Sequence, residues 1–178
     1  MIPKSRCKLN SNHNFTIETP YLNKIVLNHN ELAAGCKETN FTVFDLESGK
    51  YKWQAKAYPR DELNLQQKID VVDVKHAGEG IYYNLSAFDR IYKYDIRAQR
   101  KEVLDFETKL DPEFSTTCFD VKDQLIAVAN NIGWINLFDI RNTKNVLKKF
   151  VDHQGSVKQL AFHAKEPKLV SGTLKRFI

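Results

Sequence analysis

The sequence predicts an all-β chain, a partial β-propeller of about three and a half four-stranded antiparallel blades. Three observations carry that prediction. One ten-residue pattern recurs three times, short β-rich runs flank every copy, and large apolar groups fall on both faces of those runs.

The recurring segments are 41–50 (FTVFDLESGK), 91–100 (IYKYDIRAQR) and 135–144 (INLFDIRNTK), which start 50 and 44 residues apart. Each reads apolar, two variable positions, aromatic, Asp, aliphatic, then a polar turn ending in a base. An apolar run precedes each copy at 32–36, 81–85 and 125–129, and a fourth such run, Leu169-Val170-Ser171-Gly172, has no segment behind it. Further upstream lie the runs 24–27, 71–74, 117–121 and 157–162; downstream are the more polar runs 51–54, 102–106 and 145–150. All are too short for helices, so each unit holds about four strands joined by polar turns. Pairs such as Val43-Phe44 and Leu137-Phe138 break the alternation expected of a sheet with one wet face, so both faces are covered. The expected division is an N-terminal segment 1–21, blade one 22–57, a connector 58–69, blade two 70–107, blade three 108–152 and an incomplete blade four 153–178.

Composition limits the function classes. The chain has 178 residues, 42% hydrophobic and 28% charged, with 27 Lys+Arg against 22 Asp+Glu. No apolar run approaches 18 residues, so no membrane partner is expected, and the basic start Met1–Cys7 has no apolar stretch behind it. Cys7, Cys36 and Cys118 form no Cys-x-x-Cys pair, which argues against a disulfide framework or a cysteine zinc site and for a reducing compartment. The Asn14, Asn40 and Asn84 sequons are then accidents of composition.

The repeat resembles the WD repeat family. Phe44-Asp45, Tyr94-Asp95 and Phe138-Asp139 stand where that family has Trp-Asp, and Asp152-His153 with 155–162 resembles its Gly-His turn and the strand after it. No copy has the Trp, and Asn130-Asn131 replaces the usual loop Asp, so the family's His–Asp–Ser/Thr–Trp network is incomplete throughout. A narrower resemblance concerns the connector: Trp53-Gln54-Ala55-Lys56 followed by Asp61, Leu63 and Leu65 is similar to that of the nucleolar WD repeat-containing protein 74 family. That resemblance implies a non-catalytic scaffold in the nucleus and nucleolus, active in assembly of the large ribosomal subunit precursor. Its implied partners are ribosome-assembly proteins, pre-ribosomal RNA and an AAA-type ATPase. It implies no cofactor, metal or small-molecule substrate.

That family's ring has seven blades, whereas this chain covers about half a ring and reaches Lys175–Ile178 inside an expected strand. Burying one Leu, Ile or Phe is worth roughly 1.5–3 kcal/mol, so about five wet side chains at each open end would forfeit on the order of 10 kcal/mol. Domain stability totals only about 5–15 kcal/mol. The expectation is therefore a piece of a larger ring, or a half-ring completed by a second copy or another chain.

Charge is unevenly spread. Residues 141–178 carry nine bases and two acids, a net of +7, leaving −2 on the first 140. Candidate partner or RNA contacts are Arg97, Arg100, Lys101, Arg141, Lys148, Lys149, Lys165, Lys168, Lys175 and Arg176. Tyr94–Arg97 and Phe138–Arg141 also resemble the W-D-x-R box by which some WD-repeat proteins dock to a cullin-RING ubiquitin-ligase adaptor, an alternative role.

Catalytic signals are weak. With 7 glycines there is no phosphate-binding loop. His29, His76 and His163 share one repeat position, which reads as turn residues on separate blades, and Asp45, Asp95 and Asp139 read as caps of the third strand's turn. His13 and His153 lack partners at metal-ligand spacing.

Overall fold

The computed structural model describes residues 5–8, 14–17, 22–36, 41–55, 71–87, 89–98, 104–111 and 113–173. All its regular elements are β-strands. The first two, β1 (Ser5–Lys8) and β2 (Asn14–Ile17), form an antiparallel pair that the repeat pattern does not announce. Three four-stranded antiparallel sheets follow in chain order. Sheet one holds β3 (Leu22–Asn28), β4 (Glu31–Cys36), β5 (Thr42–Asp45) and β6 (Tyr51–Gln54). Sheet two holds β7 (Val71–His76), β8 (Ile81–Ser86), β9 (Arg90–Asp95) and β10 (Leu104–Glu107). Sheet three holds β11 (Thr116–Lys122), β12 (Leu125–Asn130), β13 (Ile135–Asp139) and β14 (Lys148–Phe150). Sheet four has only β15 (Val157–Phe162) and β16 (Leu169–Thr173) among the described residues. The all-β partial propeller is thus what the chain forms. The connector 58–69 and residues 174–178 lie outside the described residues.

Register makes the units superimposable. The first strand pair of every sheet is irregular at one place: Leu22/Lys24, Val71/Asp73, Thr116/Cys118 and Val157/Gln159. From there, Leu32, Tyr82, Ile126 and Leu169 are equivalent, as are Ala33, Tyr83, Ala127 and Val170, and Gly35, Leu85, Ala129 and Gly172. Strands β8 and β12 are buried along nearly their whole length, because each has a sheet on both sides. Ala33, Phe41 and Val43 of sheet one meet Val74, Tyr82 and Tyr94 of sheet two. Leu85, Ile91 and Phe106 of sheet two meet Phe119, Ile126 and Phe138 of sheet three. Cys118, Ala127 and Ala129 meet Val157 and Leu160 of sheet four, but Leu137, Phe150, Phe162 and Leu169 stay only partly buried there.

First strands β3, β7, β11 and β15 lie side by side and are stitched by two acids. Asp73 takes Lys24 of the sheet before at 3.3 Å and the Phe119 N–H of the sheet after at 3.4 Å. Asp120 repeats this with Lys75 at 3.2 Å and the Phe162 N–H at 2.7 Å. A carboxylate buried without such donors would be strongly unfavourable.

The expectation of a wet face at each end is corrected at the first. Leu32, Ala34 and Phe44, on the side of sheet one away from sheet two, are at most 2% exposed. At the other end Val170 is 61% exposed. The Asn84 sequon lies in β8 with its side chain 2% exposed, so the folded chain offers no glycan acceptor there. Cys118 is a free thiol, pushed up to about 11 by burial between sheets three and four.

Candidate interaction site

The Asp of each repeat segment is a turn lock. Asp45 accepts the Ser48 N–H at 2.7 Å, Asp95 the Arg97 N–H at 3.0 Å and Asp139 the Arg141 N–H at 2.9 Å. In sheets two and three the arginine also folds back on the same carboxylate. Arg97 meets Asp95 through Nε at 2.9 Å, and Arg141 meets Asp139 through Nη2 at 2.5 Å. These donors hold both carboxyls down at about 2. Each guanidinium is therefore committed to its own turn while remaining largely solvent-exposed.

The lysine-rich last third is divided between two faces. Alternation along β14 sends Lys148 and Lys149 apart, Lys148 lying 4.9 Å from the Phe150 ring and Lys149 3.8 Å over the Trp134 ring. Lys148, Lys165 and Lys168 then converge on one groove of about 820 Å³ between sheets three and four. Its floor is Leu125, Ile135, Leu137, Phe150, Phe162 and Leu169, and Lys122, Asp123, Asp152 and Glu166 complete its charged rim. Lys122 belongs with this cluster although the sequence did not single it out; its ammonium donates to the His163 carbonyl at 2.6 Å, while Lys168 pairs with Glu166 at 2.5 Å. Lys148 and Lys165 have no carboxylate partner among the described residues. Arg100, Lys101, Lys175 and Arg176 lie outside the described residues, as do Lys56, Asp61, Leu63 and Leu65 of the connector. Trp53, the connector's first residue, packs on Phe41 at 6.1 Å and Tyr94 at 5.4 Å and so sits on the seam of sheets one and two.

One limb of the family's network survives: His153 Nε2 lies 2.6 Å from Ser171 Oγ. Gly133 keeps that turn close, since a Cβ there would stand 2.3 Å from the His153 carbonyl oxygen. In sheet three Asn130 Oδ1 accepts the Trp134 N–H at 2.9 Å, doing the loop-closing work of the absent Asp.

The histidine reading needs one correction. His29 and His76 are not apart: both line a polar cavity of about 580 Å³ where the turns of sheets one and two meet. Strand pairing sets His76 level with Leu27 and not with His29, so the two histidines are not repeat equivalents, and the turn after β3 meets the end of β7. There His76 Nε2 is 2.9 Å from Asn28 Nδ2, and burial lowers its affinity for a proton. Glu31 accepts from Tyr82 Oη and Lys52 Nζ, each at 2.5 Å; burial opposes its charge, yet these donors hold it below the usual carboxylate range. The Tyr82 hydroxyl is pushed far up by burial and then by that carboxylate. Among the described residues no group of three His, Cys, Asp or Glu is placed to hold a metal ion, and no helix is long and apolar enough to cross a membrane.

Known proteins agree with this architecture. The chain is 31% identical over 152 residues to a WD repeat-containing protein of Dictyostelium discoideum, a match covering 84% of this chain. The chain spans only 29% of that relative's length. A chain in the crystal structure of the mitotic checkpoint complex superposes with a TM-score of 0.71 at 14% identity, covering 86% of this chain and 44% of the other. The computationally designed Ika4 protein matches with a TM-score of 0.67 at 14% identity over 93% of both chains. No protein-family model matches. Sequence likeness to a WD-repeat protein and fold likeness to a WD40 propeller together support the WD-repeat family for this chain.

Proposed function

We propose that this chain is a scaffold for assembly of the large ribosomal subunit precursor, working in the nucleolus. The coarser part rests on homology: likeness to a WD-repeat protein supports a non-catalytic interaction scaffold, and the mitotic checkpoint neighbour is itself part of a protein complex. The finer part is carried by the resemblance of the Trp53–Leu65 connector to the nucleolar family. The anchoring of Trp53 between Phe41 and Tyr94 supports it, because it gives that connector a fixed point of departure.

In this reading the sheets hold their turns rigid, and the turns and the final third meet assembly proteins, pre-ribosomal RNA and a releasing AAA-type ATPase. Exposed lysines contribute sequence-independent attraction to phosphates, with strong salt dependence. Affinity capture of the tagged full-length protein tests the proposal. Recovery of large-subunit assembly factors and pre-ribosomal RNA is expected, with the RNA lost when Lys148, Lys149, Lys165 and Lys168 are changed to Glu. Recovery of a cullin-RING adaptor instead, abolished by Arg141→Ala, would overturn it.

A further inference from the structure

One side-chain amide joins the turns of sheets one and two across their seam. Asn28, at the end of β3, gives an Nδ2 hydrogen to His76 Nε2 at 2.9 Å and takes the His29 Nδ1 hydrogen on Oδ1 at 3.0 Å. An amide has a donor end and an acceptor end, and an imidazole nitrogen is one or the other according to its proton. The bridge as built therefore needs a bare Nε2 on His76 and a proton on Nδ1 of His29.

Tyr82 fixes which way the amide points. Its hydroxyl gives its proton to Glu31 at 2.5 Å, so it turns lone pairs toward Asn28 and takes a hydrogen bond from that amide. The His76 ring stands at 62° to the Tyr82 ring, 5.1 Å away, so one amide end serves both. The remaining charged groups around the pair are Glu31 and Lys52, bound to each other at 2.5 Å, and Asp45 and Glu79 on the cavity wall. Burial disfavours a charge on His76, Glu31 and a hydrogen bond with the Gly78 backbone favour one, and His29 opposes it.

The consequence is a rule of exclusion. His29 is exposed and takes a second proton without disturbing the bridge, since its Nδ1 already carries one. A proton on His76 Nε2 instead meets an N–H, so the amide must turn over, and a turned amide needs a bare Nδ1 on His29. With His29 charged, no orientation of Asn28 serves both rings. We propose that Asn28 is a proton-counting latch between the turn after β3 and the end of β7. It bridges them while at most one of His29 and His76 is charged, and it opens when both are. The latch belongs to the seam and is independent of any role in ribosome assembly.

The test is proton NMR of the imidazole Cε1 hydrogens in the full chain, titrated between about pH 8 and pH 4. It is run in about 1 M salt, where a screening length of about 3 Å damps simple repulsion between the rings. His29→Gly suits the φ of 45° at that position and leaves the amide free to turn. The His76 midpoint is then expected to rise by at least about half a pH unit. In an Asn28→Ala background the same replacement should leave that midpoint where it is. An unchanged midpoint in His29→Gly, or an equal rise with Asn28 absent, would overturn the proposal. A further readout needs no variant: the Asn28 Nδ2 hydrogens should begin rapid exchange with water at the His76 step. Onset at the His29 step instead would contradict the latch.

Discussion

Ala33 and Val170 occupy the same place in the first and fourth sheets, as do Gly35 and Gly172, yet their surroundings are opposite. Ala33 is fully buried against sheet two and Val170 is 61% exposed. A Cβ on Gly35 would stand 2.6 Å from both Val71 Cγ1 and Val74 Cγ2, whereas nothing lies within 4 Å of one on Gly172. The same local sequence logic, a short apolar strand with a glycine near its end, therefore gives a close-packed seam where a following sheet exists and an open face where the described residues supply none. Burial here is a property of the stack and not of the strand.

That contrast can be broken by substitution, and the largest effect belongs to the aromatics. Phe138→Ala empties a fully buried site packed on Phe106 at 5.5 Å and is expected to cost about 3–5 kcal/mol in chemical denaturation. Phe162→Ala, on the half-covered side of sheet four, should cost less than about half of that. Equal costs would mean that the seam of sheets three and four is as closed as that of sheets two and three. Next come the glycines: Gly35→Ala is expected to lose about 1–3 kcal/mol by overpacking on two valines. Gly172→Ala should stay within about 0.5 kcal/mol.

Tyr82→Phe sharpens the comparison at the seam of sheets one and two. Removing the hydroxyl that donates to Glu31 is expected to cost about 1–2 kcal/mol, read from the urea midpoint, since Lys52 still holds the carboxylate. A further effect is one of pH. Asp89 is pushed up to about 7, first by burial and then by the nearby charge of Glu107, against a backbone N–H from Leu110. An acid whose folded value is raised holds its proton more tightly when folded. Its contribution is therefore favourable at low pH and declines as pH rises from the ordinary carboxylate range toward 7. Asp89→Asn, at a position with φ of 60° that Asn tolerates, should flatten that decline between about pH 4 and pH 7. A wild-type decline of equal size in the variant would remove Asp89 as its source.

Much of the fold was legible because register and composition repeat together. The segment ending in aromatic-Asp located β5, β9 and β13, and its spacing set the places of their neighbours. The pair β1–β2 was not legible, since no other part of the chain repeats it. Neither was the stitching by Asp73 and Asp120, though both sit as lone acids inside apolar runs and that oddity was the available signal. Of the candidate contacts, Lys148, Lys165 and Lys168 come together because a turn of sheet four faces an outer strand of sheet three. Lys149 departs to Trp134 because adjacent strand residues face opposite ways, and Lys122 was hidden because it lies far back in the sequence, on β11.

The most direct test of the contrast between closed and open seams is native-state hydrogen exchange, comparing amides of β12 with those of β16. With β12 held between two sheets and β16, among the described residues, held on one side only, β12 amides should exchange only on global unfolding, and those of β16 at least about a hundredfold faster. Equal protection of the two strands would contradict the account, since it would require β16 to be as fully enclosed as β12.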